Sequence, residues 1–162
     1  MTANTERVKQ YLEQYGLADK VHEFTEVSTA TSPLAAEAIG CTVGQIAKSL
    51  SFSTPEGGAL VLVTSGDAKV KGSAFKRQFH FTPHMLRAED VLPLTTHPVG
   101  GVCPFDLPDD LPVYLDVSLK RFEVIYPACG SSSSMLRTDC EELERASRAR
   151  GWVDVCKDWQ ED

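Results

Sequence analysis

The sequence predicts an α+β fold in a single domain, a mixed and mostly antiparallel twisted sheet or partial barrel flanked by helices. About seven short runs with strand patterns alternate with four or five stretches of helical spacing. Turn residues join neighbouring runs as local hairpins, which is typical of α+β domains rather than of parallel α/β domains. The length of 162 residues fits one compact unit over 1–162, with an acidic tail from about residue 157.

The N-terminal quarter predicts two helices and one strand. Apolar residues at helical spacing predict a helix over 5–15, and Gly16 is a natural end for it. Residues 21–25 alternate between apolar and polar, as a half-buried strand does. A second helix is expected to begin at Ser32-Pro33, with the serine as its cap, and to end at Gly40.

The next stretch predicts the centre of the sheet. Residues 43–52 lead into an alternating strand pattern, and Lys48 stands where the chain enters that strand. Residues 54–58 form a predicted turn, and the run 59–63 is apolar on both faces, as a central strand is.

Residues 67–87 are basic although the whole chain has a formal net charge of −7. Such a patch could hold one phosphodiester backbone, while the acidic total argues against indiscriminate nucleic-acid binding. The alternative is a solvated, lysine-rich helix face. The one acid of this segment is Asp67, and its bases are Lys69, Lys71, Lys76, Arg77 and Arg87, with His80 and His84 between them.

The C-terminal half predicts alternating short elements. Residues 88–92 are expected to form a short helix, 112–116 and 122–126 two strands, 129–134 a polar turn and 135–138 a brief strand.

The last predicted helix begins at Thr138. This threonine and Glu141, three residues later, fit a capping box, and residues 152–156 are expected to close the sheet.

The segment 95–105 has the composition of a binding loop. Gly100 and Gly101 allow the backbone to approach a ligand or another strand closely, and Pro104 fixes the direction in which the chain leaves. An ordinary turn between strands has the same composition.

Several classes of site and location are disfavoured. The five cysteines are widely spread without C-x-x-C spacing, and the four histidines lack paired ligand spacing, so neither a metal nor a cofactor is expected. No G-x-S-x-G, H-E-x-x-H, P-loop or G-x-G-x-x-G motif occurs. Without a signal-like N-terminus or a membrane-spanning apolar run, the expected location is the cytoplasm, with no membrane partner.

Six stretches, in this order, resemble the YbaK/ProX family of aminoacyl-tRNA deacylases, which share their fold with the editing domain of bacterial prolyl-tRNA synthetases. One such stretch would be weak evidence of a relationship, but the six stretches occur in the family's order and cover nearly the whole chain. They are Thr31 through Ile46–Phe52, Leu62–Asp67, Leu94-Thr95 with His97–Phe105, Val113–Leu119, Tyr126–Ser131 and Leu136–Leu143.

The resemblance implies a trans-editing hydrolase without a cofactor. It would cleave the ester between a small amino acid, such as Cys or Ala, and tRNA-Pro or a related tRNA. Its partners would be the 3′ CCA end of aminoacyl-tRNA and, as a further candidate, an aminoacyl-tRNA synthetase. The implied catalytic residues are Lys48, Gly100, Gly101 and Val102, and the implied substrate-binding residues are Thr31, His97, Cys103, Pro104, Asp116, Gly130 and Ser131.

The chain departs from the family pattern at three positions. Thr96 and Asp106 stand where Gly is common, and Phe24 falls near a position where some members carry a functional Tyr. A carboxylate near the loop would repel an oxyanion or a phosphate. The alternatives are therefore a non-catalytic tRNA- or synthetase-binding module, or a hydrolase of free amino-acid esters.

Overall fold

A computed structural model describes residues 2–24 and 31–159 of the chain. Its helices are α1 (Ala3–Glu13), α2 (Ser32–Ile39), α3 (Gly72–Phe79), α4 (Ala88–Thr95) and α5 (Cys140–Ala146). Its strands are β1 (Val21–Glu23), β2 (Ile46–Ser53), β3 (Ala59–Ser65), β4 (Lys69–Val70), β5 (Val113–Asp116), β6 (Tyr126–Pro127), β7 (Ser134–Leu136), β8 (Gly151–Val153) and β9 (Cys156–Lys157). Short 3₁₀ helices span Ala18–Lys20, Val43–Gln45 and Val117–Arg121.

An open five-stranded sheet of order β6-β2-β3-β5-β8 forms the centre, and it confirms the α+β class. The β2–β3 hairpin is antiparallel, with pairs from Ala47↔Ser65 to Ser53↔Ala59. The other three neighbours in this sheet pair in parallel. Further antiparallel pairing occurs in two separate ladders, β1–β7 and β4–β9, and in isolated bridges. The five-stranded sheet is therefore mixed, and the long hairpin is its antiparallel ladder.

Strand β3 is the buried centre that its apolar run predicts, because all seven of its residues are buried. Successive side chains of a strand point to opposite faces, so β3 contributes to two cores. On one face Val61 and Val63 pack in a cluster that includes Leu12 of α1. On the other face Leu62 packs in a cluster that includes Phe75 of α3.

Two helix caps differ from the sequence prediction by one residue. The N-cap of α2 is Thr31, whose side chain accepts a hydrogen bond from the Leu34 amide, so Ser32 is the first helical residue. The N-cap of α5 is Asp139, whose carboxylate accepts from the Glu142 amide at 2.7 Å. In each case a neighbouring side chain of equal capping ability has the extended backbone that the N-cap position requires.

The predicted strand over 122–126 is wrong except at its end. Asp116 accepts a hydrogen bond from the Ser118 amide and caps the 3₁₀ helix over 117–121, so the chain regains strand pairing only at the Ile125↔Thr138 bridge and the adjoining β6. The predicted strand over 152–156 divides into β8 and β9, because the Val155 amide donates to Asp116 instead of to a neighbouring strand.

Some predictions lie at the limits of the described residues. The first strand is observed over Val21–Glu23, and residue 25 lies outside the described residues. The acidic tail beyond residue 159 also lies outside them. Across the ranges 2–24 and 31–159, no helix is long and apolar enough to cross a membrane.

Candidate active site

A cavity of about 380 Å³ opens at the edge of strand β2. Its walls come from the N-terminus of α2, the strand β2, the start of α4, the loop 97–105 and the turn 128–134. The lining residues are Thr31, Ser32, Ile46, Ala47, Lys48, Ser49, Ser51, Met85, Leu86, Ala88, Val91, Val99, Gly100, Val102, Ala128, Ser131, Ser132 and Met135.

The cavity lies where β2 changes partners along its outer edge. Strand β6 pairs only with Ile46 and Ala47. Further along, the Leu86 amide donates to the Ser51 carbonyl at 3.0 Å and the Ser53 amide donates to the His84 carbonyl at 2.8 Å. Between these two partners the edge of β2 opens, and the cavity reaches Lys48 and Ser49 there.

Lys48 is the one charged side chain among the described residues that line the cavity. It is half-buried, and its Nζ donates a hydrogen bond to the Ala68 carbonyl at 2.6 Å. Desolvation lowers the pKa of the Lys48 ammonium, while the nearby Asp67 carboxylate acts in the opposite direction. Lys48 therefore lies in the cavity wall while its ammonium is held by the Ala68 carbonyl, in the chain segment after β3.

Two residues of the loop 97–105 that line the cavity have backbone amides without a hydrogen-bond partner among the described residues. Gly100 has φ of +84°, a left-handed conformation that favours glycine. The Gly101 amide donates to the Pro98 carbonyl at 2.9 Å and is therefore occupied. The amides of Gly100 and Val102 make no hydrogen bond to any described residue, and both residues line the cavity.

His97 anchors the beginning of this loop from a fully buried position. Its Nε2 donates to the Phe105 carbonyl at 2.7 Å, and its Nδ1 accepts from Asn4 at 3.1 Å and from Arg7 at 2.9 Å. Desolvation lowers the pKa of His97, so the neutral ring with a proton on Nε2 matches all three contacts.

Cys103 is a buried residue of the same loop and does not line the cavity. Its Sγ donates to the Phe105 carbonyl at 3.7 Å, and burial raises the pKa of its thiol to about 12. A thiol with this pKa supplies almost no thiolate at neutral pH, which argues against a nucleophilic role.

The structure brings five of the implied site residues together around the cavity: Thr31, Lys48, Gly100, Val102 and Ser131. Six others do not line it: His97, Gly101, Cys103, Pro104, Asp116 and Gly130.

Contacts elsewhere in the fold account for three of these six positions. Both carboxylate oxygens of Asp116 accept backbone hydrogen bonds, one from Ser118 and one from Val155. Pro104 lines a separate, smaller hollow. The Gly130 carbonyl accepts a hydrogen bond from Asn4 at 2.7 Å.

The departures from the family pattern also lie away from the cavity lining. The Asp106 carboxylate pairs with Arg7 at 3.3 Å, and Thr96 Oγ1 donates to the Asp106 carbonyl at 3.3 Å. Phe24 packs beside α2 in a cluster with Ala35 and Ala36.

Sequence reasoning missed much of the cavity wall. Ser49 is the clearest case, because its Oγ is buried without a hydrogen-bond partner among the described residues. Met85 and Val99 also line the cavity although they are 53% and 64% exposed. Exposed apolar residues in loops carry no periodic signal, so only the folded arrangement reveals them.

The arrangement fits chemistry by positioned backbone donors. No carboxylate is present among the described lining residues, so two free amides and one lysine supply its polarity together with serine and threonine hydroxyls. In the described part of the chain, no cluster of three or more His, Cys, Asp or Glu side chains could hold a metal ion. Amides that point toward an ester carbonyl are suited to stabilising an oxyanion.

Comparisons with known proteins identify the family. The aminoacyl-tRNA editing domain family matches residues 26–146. The uncharacterized protein YwhH of Bacillus subtilis is 44% identical over 153 residues, which are 94% of this chain and 97% of that protein.

Two solved structures share the fold over almost their full lengths. A structure provisionally described as a trans-editing enzyme for prolyl tRNA synthetase is 31% identical, with a TM-score of 0.86 over 97% of this chain and 99% of that one. The hypothetical protein APE2540 is 27% identical, with a TM-score of 0.81 over 93% of this chain and 99% of that one. The expected resemblance is confirmed, and the chain belongs to the aminoacyl-tRNA editing domain family, which includes the YbaK/ProX proteins.

Proposed function

We propose that this protein is a trans-editing hydrolase that cleaves the aminoacyl ester of mischarged tRNA. The observation that carries the proposal is one cavity lined by Lys48, Gly100 and Val102, in a chain of the editing family, where the amides of Gly100 and Val102 have no hydrogen-bond partner among the described residues. The cytoplasm, where aminoacyl-tRNAs are used, is the location that this function requires.

The proposed reaction needs no nucleophilic side chain. A water molecule attacks the ester carbonyl, the carbonyl oxygen becomes an oxyanion, and the bond to the ribose oxygen then breaks. The ribose oxygen takes up a proton from the attacking water, which gives a free amino acid and uncharged tRNA. The amides of Gly100 and Val102 would donate to the oxyanion, and one such donor contributes roughly 2.7–4 kcal/mol where this has been measured.

The four implied catalytic residues take three different roles in this proposal. The Gly101 amide is bonded to Pro98, so we assign the oxyanion donors to its two neighbours and a spacing role to Gly101. Lys48 would bind the phosphate of the terminal nucleotide after its ammonium leaves the Ala68 carbonyl.

The lining favours an uncharged amino acid as the edited group, and the family resemblance favours a small one. Much of the wall is apolar, with Met85, Val99 and Met135 among its residues, and no carboxylate is present among the described lining residues to pair with a cationic side chain. Cys and Ala fit this description. The described role of one structural neighbour, trans-editing for prolyl tRNA synthetase, favours tRNA-Pro as the carrier and a synthetase as a further partner.

A deacylation panel tests the proposal. The protein is mixed with tRNA-Pro charged with Ala, Cys, Ser or Pro, and the loss of ester is followed against spontaneous hydrolysis. We expect faster loss for at least one small, non-cognate amino acid. Slower loss than the spontaneous rate for all four would instead indicate a binding module that protects the ester.

The binding module keeps one observation in its favour, since the Lys48 ammonium is already occupied by the Ala68 carbonyl. The carboxylate of Asp106 no longer favours it, because that group pairs with Arg7 and does not line the cavity. Free aminoacyl esters in the same assay would detect a small-molecule hydrolase, which needs no tRNA body.

Lys48→Ala separates catalysis from folding. We expect this variant to lose deacylation by about a hundredfold or more while its circular dichroism spectrum is unchanged, because a half-buried lysine with one hydrogen bond contributes little to the fold. Lys157→Ala, which removes an exposed lysine of β9, is the matched control. Full activity in Lys48→Ala would remove this lysine from the mechanism.

A further inference from the structure

The first two turns of α1 contact both chain segments that carry the glycine side of the cavity. One segment is the loop 97–105, which provides Gly100 and Val102, and the other is the turn 128–134, which provides Ser131. Helix α1 itself lies before the residues 26–146 that match the editing family. The contacts come from Asn4, Thr5 and Arg7, which we call the α1 clasp.

Asn4 joins the two segments directly through one amide group. Its Nδ2 lies 3.1 Å from His97 Nδ1 in the loop and 2.7 Å from the Gly130 carbonyl in the turn. An asparagine NH₂ group has two hydrogens, so each one has its own acceptor. His97 Nδ1 can accept this hydrogen bond only while the ring is neutral with its proton on Nε2. The hydrogen bond from Nε2 to the Phe105 carbonyl fixes that tautomer.

The two segments are also in close contact where Asn4 joins them. A Cβ placed on Gly101 would lie 2.6 Å from the Gly130 carbonyl oxygen, the same oxygen that accepts from Asn4. A small shift of the turn would therefore move the loop between Gly100 and Val102. The position of the free amides depends on this contact.

The other two residues of the clasp hold one segment each. Arg7 donates to the Thr96 carbonyl at 3.0 Å and to His97 Nδ1 at 2.9 Å, and it pairs with Asp106 at 3.3 Å. Thr5 Oγ1 lies 3.4 Å from Ser134 Oγ, and Ser134 Oγ accepts from Ser131 Oγ at 2.9 Å. The chain Thr5–Ser134–Ser131 therefore ends at a residue that lines the cavity.

We infer that Asn4 is a positioning residue for the reaction, acting through His97 and Gly130 to hold the amides of Gly100 and Val102 opposite the turn that carries Ser131. Asn4 touches no cavity atom itself, and its effect is on geometry. The kinetic part of this inference rests on the proposed function. The structural part, that α1 fixes the loop, stands independently of any activity.

Amide hydrogen exchange tests the structural part. In Asn4→Ala we expect the amides of residues 99–103 to exchange about tenfold faster. The reason is that the loop and the turn each lose one hydrogen bond to α1. Peptides from β3 should keep their wild-type rates. The matched control is Gln10→Ala, which removes an exposed amide side chain from the same helix. Equal loop rates in Asn4→Ala and wild type would overturn the inference.

The tautomer and charge of His97 give a second test that needs no variant. Nitrogen-15 NMR of the wild-type protein should show His97 neutral, with the proton on Nε2, at pH 7. A proton on Nδ1 would overturn the inference even if Asn4→Ala failed to fold, because Asn4 and Arg7 both require Nδ1 as an acceptor.

Deacylation kinetics test the positioning role. With the mischarged tRNA that the panel identifies, we expect Asn4→Ala to lower kcat about tenfold while KM changes less than about twofold. The control Gln10→Ala should keep the wild-type kcat. Wild-type kcat in Asn4→Ala would refute the positioning role. Absence of turnover in the wild-type protein would refute the proposed function. The hydrogen-exchange result would then decide by itself whether the α1 clasp fixes the loop.

Discussion

At the scale of single residues, Thr96 and Asp106 combine unfavourable backbone conformations with useful contacts. Their φ values are +68° and +53°, in the left-handed region that favours glycine. These are the two positions where the resemblance leads one to expect Gly. Thr96 ends α4 with its amide on the Leu92 carbonyl, and its own carbonyl accepts from Arg7. The departures from the family pattern therefore concern backbone strain beside the α1 clasp.

Thr96→Gly should stabilise the protein. A left-handed conformation costs a β-branched residue about 1–2 kcal/mol, and glycine removes that cost while it adds unfolded-state entropy worth about 0.4–1 kcal/mol. We expect the free energy of unfolding, measured in urea, to rise by about 0.5–1 kcal/mol. The control is Thr82→Gly, an exposed threonine without a positive φ, which should lower it. A less stable Thr96→Gly would mean that the hydrogen bond from Thr96 Oγ1 to Asp106 outweighs the strain.

The sequence points to candidate site residues mainly through the family resemblance. The resemblance implies roles for Gly100 and Lys48, and the structure places both residues in the cavity lining. Asn4 is an ordinary residue of an amphipathic helix, and its partners are 93 and 126 positions away along the chain. No local pattern carries that information. Asp116 is a different case. The resemblance implies that it binds substrate, but its carboxylate caps the 3₁₀ helix over 117–121 and the residue does not line the cavity.

At the scale of the element, the two loop glycines are required for different reasons. Gly100 needs its positive φ, and a Cβ there would meet no atom within 4 Å. Gly101 has no positive φ, but a Cβ there would lie 2.6 Å from the Gly130 carbonyl oxygen. Strain at Gly100 would be local, whereas a clash at Gly101 would push the loop away from the turn 128–134.

Gly100→Ala and Gly101→Ala should therefore differ in their effects on activity. We expect Gly100→Ala to lower the free energy of unfolding by about 1–2 kcal/mol. We expect Gly101→Ala to lower kcat about tenfold or more, because a backbone carbonyl cannot move aside without shifting the loop. Deacylation assays and urea unfolding of both variants give the comparison. An active Gly101→Ala would show that the loop tolerates displacement and would weaken the case for preorganised amides.

The predicted elements succeed where periodicity and burial agree. The apolar run 59–63 could only be a central strand or a buried helix, and its length and the turn before it favoured the strand that the structure contains. The sequence did not predict the 3₁₀ helix over 117–121, and it placed the N-caps of α2 and α5 one residue away from their observed positions. There, two neighbouring residues have similar local preferences, and long-range bonds such as Val155 to Asp116 decide between them.

At the scale of the whole molecule, charge is unevenly distributed along the chain. The chain has a net charge of −7, yet the segment 67–87 is basic and is followed directly by Ala88 at the cavity wall. Within that segment Lys76 and Arg77 are exposed in the last turn of α3. Arg87 is less available to a ligand, because it pairs with Glu89 at 3.3 Å. A basic segment on an acidic protein is suited to holding one phosphodiester backbone.

Removing Lys76 and Arg77 together should weaken tRNA binding without affecting the chemical step. Each phosphate contact contributes about 0.7–0.9 to the slope of log affinity against log salt concentration, so the double alanine variant should lose about 1.5 units of slope. We expect KM for mischarged tRNA to rise about threefold to tenfold at low salt while kcat is unchanged, because these side chains do not line the cavity. The control is the double variant Arg145→Gln/Arg150→Gln, which removes the same charge from exposed positions in the acidic C-terminal part. An equal rise of KM in both variants would show that total charge acts rather than this basic segment, and an unchanged KM in the α3 variant would identify Lys76 and Arg77 as a solvated helix face.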